Sequence, residues 1–585
     1  MDIIDKKHVN AGQKRSIAQK LARTSMILIF IGLFIRFYLI NSQSTDTYFN
    51  FEVEKSLCQQ YDYKYPKSFI DNNSVVLKII NDPFFRNQSA LKLSKAVQIK
   101  TDTYDEDPLV EEDPKYWEDK FKPFHNYLKS TFPKIWNHPN ITIETVNGWG
   151  LIVTWKGENK DLKPILLTAH QDVVPTQPST LKDWTYPPYD GHYDGEKLWG
   201  RGSADCKNLL IGLLESGEEL INFGFKPKRT VIYAFGFDEE LGGERGAKYI
   251  SQFLVDKYGK DSFYIVVDEG GQSIAYENGV LLALPGTGEK GATDIVIGLN
   301  TPGGHSSVPP NHTSIGIISK LISLIEDNPF ESIFSPKNPT FHEWQCIAKY
   351  SNELPRHIKH AILNAEYSAI SNKIARDYLS KQSLITKYLI STSSAIDIIH
   401  GGVKSNALPE YVEVLINHRI AIESTFKETL KSDISKVKTI ADKFDLGIIL
   451  NDDTIKNKTK NGYFTIKANS VLEPAPITPT TGKVWELFSG NIRHVYEQLA
   501  FKDPKSPYFN KSVIVAPGIA TGNTDTKYYW NLTNNIYRYR PGLTTSVEAH
   551  AHGVDEHILF DSHLQIIAFY FEYLQMINEQ DSEND

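Results

Sequence analysis

Four short stretches of this chain carry residues that bind metals or move protons, and each follows an apolar run of strand character. Thr168-Ala169-His170-Gln171-Asp172-Val173-Val174-Pro175 offers a histidine and a carboxylate, and Phe237-Asp238-Glu239-Glu240 offers two adjacent carboxylates. Val266-Val267-Asp268-Glu269-Gly270 follows the same plan, and residues 198–207, Leu-Trp-Gly-Arg-Gly-Ser-Ala-Asp-Cys-Lys, put Asp205 on a glycine-rich bend ahead of an apolar helix. A hydrolytic site with two metals needs about two terminal ligands per metal, a bridging carboxylate and a base. His170, Asp205, Glu240, Asp268 and one late histidine meet that requirement. Mixed imidazole and carboxylate donors suit zinc better than magnesium, which prefers all-oxygen sites. Asp172 stands two residues after His170, on the same side of an extended backbone, where it can accept from the other ring nitrogen and fix the tautomer. Glu239 and Glu240 are neighbours, so one can bind metal while the other faces substrate. Taken singly, each of these is an ordinary cap or surface charge, and only the ordered set carries the reading. The late histidine stays open between His550 and His552, both of which precede Asp-Glu.

The elements that must position these residues alternate in the α/β manner. Strands are predicted at 141–146, 150–155, 164–169, 229–235 and 263–267, with helices at 114–132, 208–223 and 243–257. Uninterrupted apolar runs such as Ile165-Leu166-Leu167 suit a sheet covered on both faces, and open α/β sheets place their sites at the C-terminal ends of such strands. From residue 291 the order becomes β-α-β-β-α-β, which is ferredoxin-like: strands at 292–299, 395–399, 411–419, 447–450 and 463–468, and helices at 313–327 and 425–444. A segment at 328–392 interrupts it and reads as mostly helical. Sheet-domain character returns with 485–501, 512–516 and a final helix at 555–576. The predicted architecture is therefore an α/β/α catalytic domain, 114–290 and 476–585, with an inserted α+β lid domain at 291–475. Residues 41–101 show no clear period. The acidic run that follows, 102–113, reads as a solvated loop, and 41–113 together is taken as an N-terminal extension and linker.

Composition narrows the function. The chain has 585 residues, too many for one core, and 41% hydrophobic with 23% charged residues describes a folded protein. A net charge of −8 argues against a nucleic-acid binder. Cys58, Cys206 and Cys346 are too few for a disulfide framework. One pair could form, and Cys206, beside the candidate site, reads as a free thiol. Residues 26–40 are apolar apart from Arg36, Thr24 and Ser25 can extend the run to 24–40, six basic residues stand within 1–23, and 41–54 has no Lys or Arg. The positive-inside rule then gives a signal anchor with a cytosolic N-terminus and the rest lumenal, a type II topology; a cleaved signal peptide is the alternative. Asn72, Asn87, Asn140, Asn311, Asn457, Asn510 and Asn531 each begin a glycosylation sequon, in keeping with lumenal exposure.

The ordered motifs His-x-Asp-Val-Val-Pro, Gly-Arg-Gly-x-x-Asp-x-Lys, Asp-Glu-Glu-x-Gly-Gly and Asp-Glu-Gly resemble those of the di-zinc metallopeptidase family that contains aminoacylase and bacterial glutamate carboxypeptidase. With the anchor and the length, the resemblance is greatest to its vacuolar Gly-X carboxypeptidase branch, and it covers roughly residue 114 to the end. It implies two Zn2+ per subunit, with Asp205 bridging, His170 and Asp268 on one metal and Glu240 on the other. Glu239 would be the general base and Asp172 the residue that orients His170. Family spacing, four residues before a Glu, selects His552 as the last ligand. A cis peptide after Asp205 is implied as well. In the lid, Gly303-Gly304-His305-Ser306-Ser307 matches the family's oxyanion-binding histidine, while Asn406 and Arg419 match the elements that hold a substrate carboxylate, for which the planar guanidinium is well shaped. A homodimer through the lid is implied by relatives and put in doubt by the 328–392 insertion. The implied activity is release of the C-terminal residue from short peptides in the vacuole. An amidohydrolase of N-acyl amino acids, or a membrane-anchored binding protein on an inactive peptidase fold, are the alternatives.

Overall fold

The computed structural model describes residues 57–70, 74–504, 506–543 and 548–580. The predicted anchor at 24–40 and Asn72 lie outside them. Among the described residues, no helix is long and apolar enough to cross a membrane.

An eight-stranded mixed sheet forms the centre. Its strand order is Ile141–Val146, Gly150–Trp155, Val231–Gly236, Ile165–His170, Ile265–Asp268, Ile536–Arg538, Gly286–Glu289 and Gly518–Ala520. The four middle strands, from Val231–Gly236 to Ile536–Arg538, run parallel. Side chains alternate cleanly across this sheet, as a period of two requires. Leu151, Val153, Ile165, Leu167, Val231, Tyr233, Ile265 and Val267 enter one core layer. Ile152, Leu166, Ile232, Ala234 and Val266 enter the layer on the other side. Helices Lys207–Phe223 and Phe560–Asn578 cover the first face, and Ala247–Tyr258 covers the second. Phe560–Asn578 is buried along nearly its whole length, including His563 and Glu572, which pair with Glu215 and His494.

A six-stranded sheet follows the order Ser393–Gly401, Tyr411–Ile420, Gly291–Asn300, Tyr463–Leu472, Gly447–Leu450 and Asp453–Lys456. Helices Ser314–Asp327 and Phe426–Phe444 pack on it around Ile318, Leu321, Val414, Ile416, Val437 and Phe464. The first four strands have the ferredoxin-like arrangement, with Gly447–Leu450 and Asp453–Lys456 added as an edge hairpin.

The insertion holds four helices, Pro339–Tyr350, Arg356–Leu363, Ala369–Gln382 and Leu384–Leu389. It leaves the lid and returns to it, yet Pro339–Tyr350 packs on strands Val280–Leu284 and Gly518–Ala520 outside the lid sheet.

Three expectations are corrected. Residues 41–101 are not without period throughout, because Val76–Asn81 and Pro83–Gln98 are helices. The second starts with Pro83 behind Asp82, whose side chain accepts from Phe84 N, a good start for a helix. Its buried face includes Ser89, Ala90 and Ala96, too weakly apolar to read as a stripe. The acidic run is not merely solvated. Asp107 is buried and paired with Lys120 at 2.7 Å, Asp102 accepts from the Tyr189 hydroxyl, and Asp113 caps the helix Pro114–Thr131. The final helix begins at Phe560, because His557–Leu559 pairs as a strand with Lys197–Trp199.

Candidate metal centre and active site

His170 ends its strand, and Glu239, Glu240 and Glu269 follow the ends of two parallel neighbours. The site thus lies at the C-terminal edge of the sheet. His170 Nδ1 lies 2.9 Å from the Asp172 carbonyl and 3.2 Å from Asp172 Oδ1. Both are acceptors, so Nδ1 carries a ring proton, and Nε2 faces the site. There Nε2 lies 3.2 Å from Asp205 Oδ1 and 3.1 Å from Glu269 Oε1. The other Asp205 oxygen, Oδ2, lies 3.3 Å from His552 Nε2, which is 3.2 Å from Glu240 Oε1. Asp205 therefore stands between two imidazoles, one oxygen toward each.

Asp172 does more than orient the imidazole. Its Oδ1 accepts the Glu239 amide and its Oδ2 the Glu240 amide, each at 3.1 Å. The Thr103 hydroxyl donates to Oδ2 as well, at 3.0 Å. The turn bearing both glutamates is thereby tied to the His170 strand.

The loop that presents Asp205 contains Gly202 at φ 86°, where a Cβ would lie 2.6 Å from Val173 Cγ1. Glu556 holds this loop through Gly202 N, Ala204 N and Asp205 N, at 3.0, 2.9 and 3.1 Å, and pairs with Arg201 at 2.6 Å. The Asp205–Cys206 peptide is cis. Cys206 is a buried free thiol.

Asp268 and Glu269 share this strand end, and it is Glu269 that lies against His170. Asp268 is the last residue of its strand and still lies in the ladder opposite Arg538, and its Oδ1 accepts the Glu269 amide. Glu269 is the first residue beyond the ladder, and its carboxylate, not that of Asp268, reaches His170. Sequence reasoning missed Glu269; adjacency to Asp268 in the Asp-Glu-Gly motif was the only available signal. His550 is turned away, with Nδ1 3.1 Å from the Val554 carbonyl and its ring against His557. Of the two candidate histidines the structure brings His552 to Asp205.

The lid residues stand apart from this cluster. His305 is exposed on the short ribbon Gly304–His305, paired with Ala407–Leu408, and its Nδ1 accepts the Ser307 amide at 3.1 Å. Asn406 adjoins the same ribbon, its carbonyl accepting from Ser306 N. Arg419 lies near the end of Tyr411–Ile420 and donates from Nη1 to Asn523 Oδ1 at 3.0 Å.

Ligand atoms converge in three overlapping sets, each within 4.8 Å: His170, Asp205, Cys206 and Glu269; His170, Glu239 and Glu240; and Asp205, Glu240 and His552. Their electrostatics show more carboxylates than cations. Burial pushes the Glu269 carboxyl up to about 7, with His170 opposing and Asp205 adding to the rise. Burial drives Glu239 well above the usual range, against His170 and with Glu269, Asp525 and Glu240. Hydrogen bonds to Asp205 and Glu240 raise His552 to about 10. A donor set of two imidazoles among four carboxylates, short of positive charge, deeply buried at His170 and half-exposed at His552, fits divalent cations.

Strand ends that deliver imidazoles and carboxylates to one edge of a parallel-centred sheet, in a chain that also carries an inserted α+β domain, are the architecture of a metal-dependent α/β hydrolase. Residues 166–576 match the model of peptidase family M20/M25/M40, and the chain belongs to that family. It is 43% identical to carboxypeptidase S of Saccharomyces cerevisiae over 505 residues, which cover 86% of each chain. An N-fatty-acyl-amino acid synthase/hydrolase of Xenopus tropicalis is 30% identical over 79% of this chain and 81% of its own. An M20 family metallo-carboxypeptidase from Sulfolobus solfataricus shares the fold with a TM-score of 0.55 at 14% identity, covering 84% of this chain and 99% of its own.

Proposed function

We propose that this chain is a di-zinc carboxypeptidase that removes the C-terminal residue from short peptides of the Gly-X type. The observation that carries the reading is Asp205 between His170 and His552, one carboxylate oxygen toward each Nε2. On this reading His170 and Glu269 would hold one zinc and His552 and Glu240 the other, with Asp205 offering one oxygen to each. Bound zinc would supply Lewis acidity that acidifies water and polarises the scissile carbonyl. Glu239, fixed through its amide to Asp172, takes the proton from the attacking water and returns it to the leaving amine. His305 accepts at Nδ1 and so carries its proton on Nε2, the form needed to donate to a developing oxyanion. Arg419 holds the terminal carboxylate, with Asn406 as a further donor.

The same reading places the catalytic domain in the lumen of a vacuole, behind a type II anchor at 24–40. Asn87, Asn140, Asn311, Asn457, Asn510 and Asn531 are all exposed, as sequons used in a lumen must be. A lid-mediated homodimer would use the edge strand Ser393–Gly401, where Ile398 and Ile399 are exposed.

A panel of N-blocked Gly-Leu dipeptides against N-acyl amino acids tests the substrate class. Faster turnover of the blocked dipeptides supports the proposal. Turnover confined to long-chain N-acyl amino acids would favour the activity named for the Xenopus tropicalis relative.

A further inference from the structure

Arg419 is a long side chain on a strand end, and a guanidinium left free to rotate makes a poor fork for a carboxylate. Its hydrogen bond runs to a single neutral side chain. Asn523 accepts from Arg419 Nη1 at 3.0 Å, and its Nδ2 donates to the Lys290 carbonyl at 2.7 Å. The second bond fixes which end of the amide faces the guanidinium, because only the amide nitrogen can donate to a carbonyl.

The segment bearing Asn523 is itself stapled down. Thr524 and Thr526 donate to the two oxygens of Glu289 at 2.8 and 3.0 Å, and Glu289 also pairs with Arg538 at 3.0 Å. Asp525, two residues on, packs against the turn that carries Glu239: a Cβ on Gly236 or Gly243 would come within 2.6 or 2.2 Å of its carboxylate. One rigid loop of the central sheet thus touches the base-bearing turn on one side and the lid arginine on the other. No carboxylate competes for Arg419 among the described residues. The nearby Lys290 ammonium is occupied by the carbonyls of Tyr388 and Ser391, at 2.8 and 2.7 Å. Five guanidinium N–H groups less the one given to Asn523 leave enough for a bidentate contact.

We propose that Asn523 is a specificity-positioning residue, which holds the Arg419 guanidinium in register for the terminal carboxylate of the substrate. This rests on the reading of Arg419 as the carboxylate anchor. An asparagine suits the role where an aspartate would not, because a carboxylate there would neutralise the arginine and face the Lys290 carbonyl without a donor.

The test is a double-mutant cycle on the zinc-loaded full chain, with a blocked Gly-Leu free acid and its C-terminal amide as paired substrates. Wild type should prefer the acid, and Arg419→Ala should abolish the preference. Asn523→Ala should lower kcat/KM for the acid about tenfold, mainly through KM, with little change for the amide and unchanged zinc content. Added to Arg419→Ala, it should have no further effect, since residues acting as a unit are not additive. Asn523→Ser serves as a second variant should the alanine fold poorly. If Arg419→Ala loses the preference while both Asn523 variants keep it, the role given to Asn523 is wrong. If Arg419→Ala keeps the preference, the anchor reading fails and this inference falls with it.

Discussion

The carboxylate of Glu556 accepts the backbone amide of Asp205 at 3.1 Å, although the two residues are 351 positions apart. The same oxygen accepts from Gly202 and Ala204, and the other pairs with the buried Arg201. Because Glu556 follows His552 by four residues, it ties the loop of one histidine to the loop of the bridging carboxylate.

Glu556→Ala would leave Arg201 buried without its partner and three amides without an acceptor. Removing one side of a buried pair costs about 3–5 kcal/mol. Metal analysis and a melting curve should show both a lower Tm and weaker retention of zinc. Unchanged values of both would remove Glu556 from the scaffold of the site.

Glu239→Gln keeps shape and backbone contacts to Asp172 while removing the base. Turnover should fall about 10²–10⁴-fold, with zinc content intact. A variant that hydrolyses at the wild-type rate would rule out Glu239 as the proton carrier.

The ligand assignment separates two adjacent or near-adjacent pairs. His552→Ala and Glu269→Ala should each lower zinc stoichiometry, whereas His550→Ala should not, since His550 faces the Val554 carbonyl. Asp268→Asn should leave stoichiometry nearer to wild type than Glu269→Ala does. The reverse order within either pair, read by elemental analysis, would reassign that ligand.

These pairs also mark how far the sequence could be read. His170, Asp172, Asp205, Glu239 and Glu240 were legible because strand-end position and residue type suffice to gather them at one sheet edge. Asp268 against Glu269 was not, because the answer depends on where the ladder with Ile536–Arg538 stops, a partner more than 260 residues away. Five strands of the central sheet and the ferredoxin-like core of the lid follow from apolar periodicity, whereas the short strands Gly286–Glu289, Gly518–Ala520 and Ile536–Arg538 do not. The helix Pro83–Gln98 does not, since small residues form part of its buried face, and neither does the docking of the insertion on strands outside the lid. Asn523 carries no motif at all; only the three-dimensional neighbourhood of Arg419 reveals it.

The insertion supplies a pH dependence separate from catalysis. Glu343, on Pro339–Tyr350, is 9% exposed. Burial, with the Glu277 carboxylate adding to it, pushes its carboxyl up to about 8. A carboxyl raised in the folded state holds a proton that the unfolded chain releases, so stability is full below the ordinary carboxyl range and falls as pH rises toward 8. The loss between pH 5 and 8 should be on the order of 3 kcal/mol. Glu343→Gln should flatten it, so that the mutant gains on wild type as the medium becomes alkaline. Parallel melting profiles of the two proteins across that range would exclude this origin.

The central claim is that hydrolysis depends on metals held by Asp205 between His170 and His552. The most direct measurement follows blocked Gly-Leu hydrolysis on protein stripped by chelation, with metal content determined on the same sample, during stepwise return of zinc. Activity should vanish in the stripped protein and recover fully as zinc reaches two per chain. Full turnover by protein that elemental analysis finds metal-free would contradict the account.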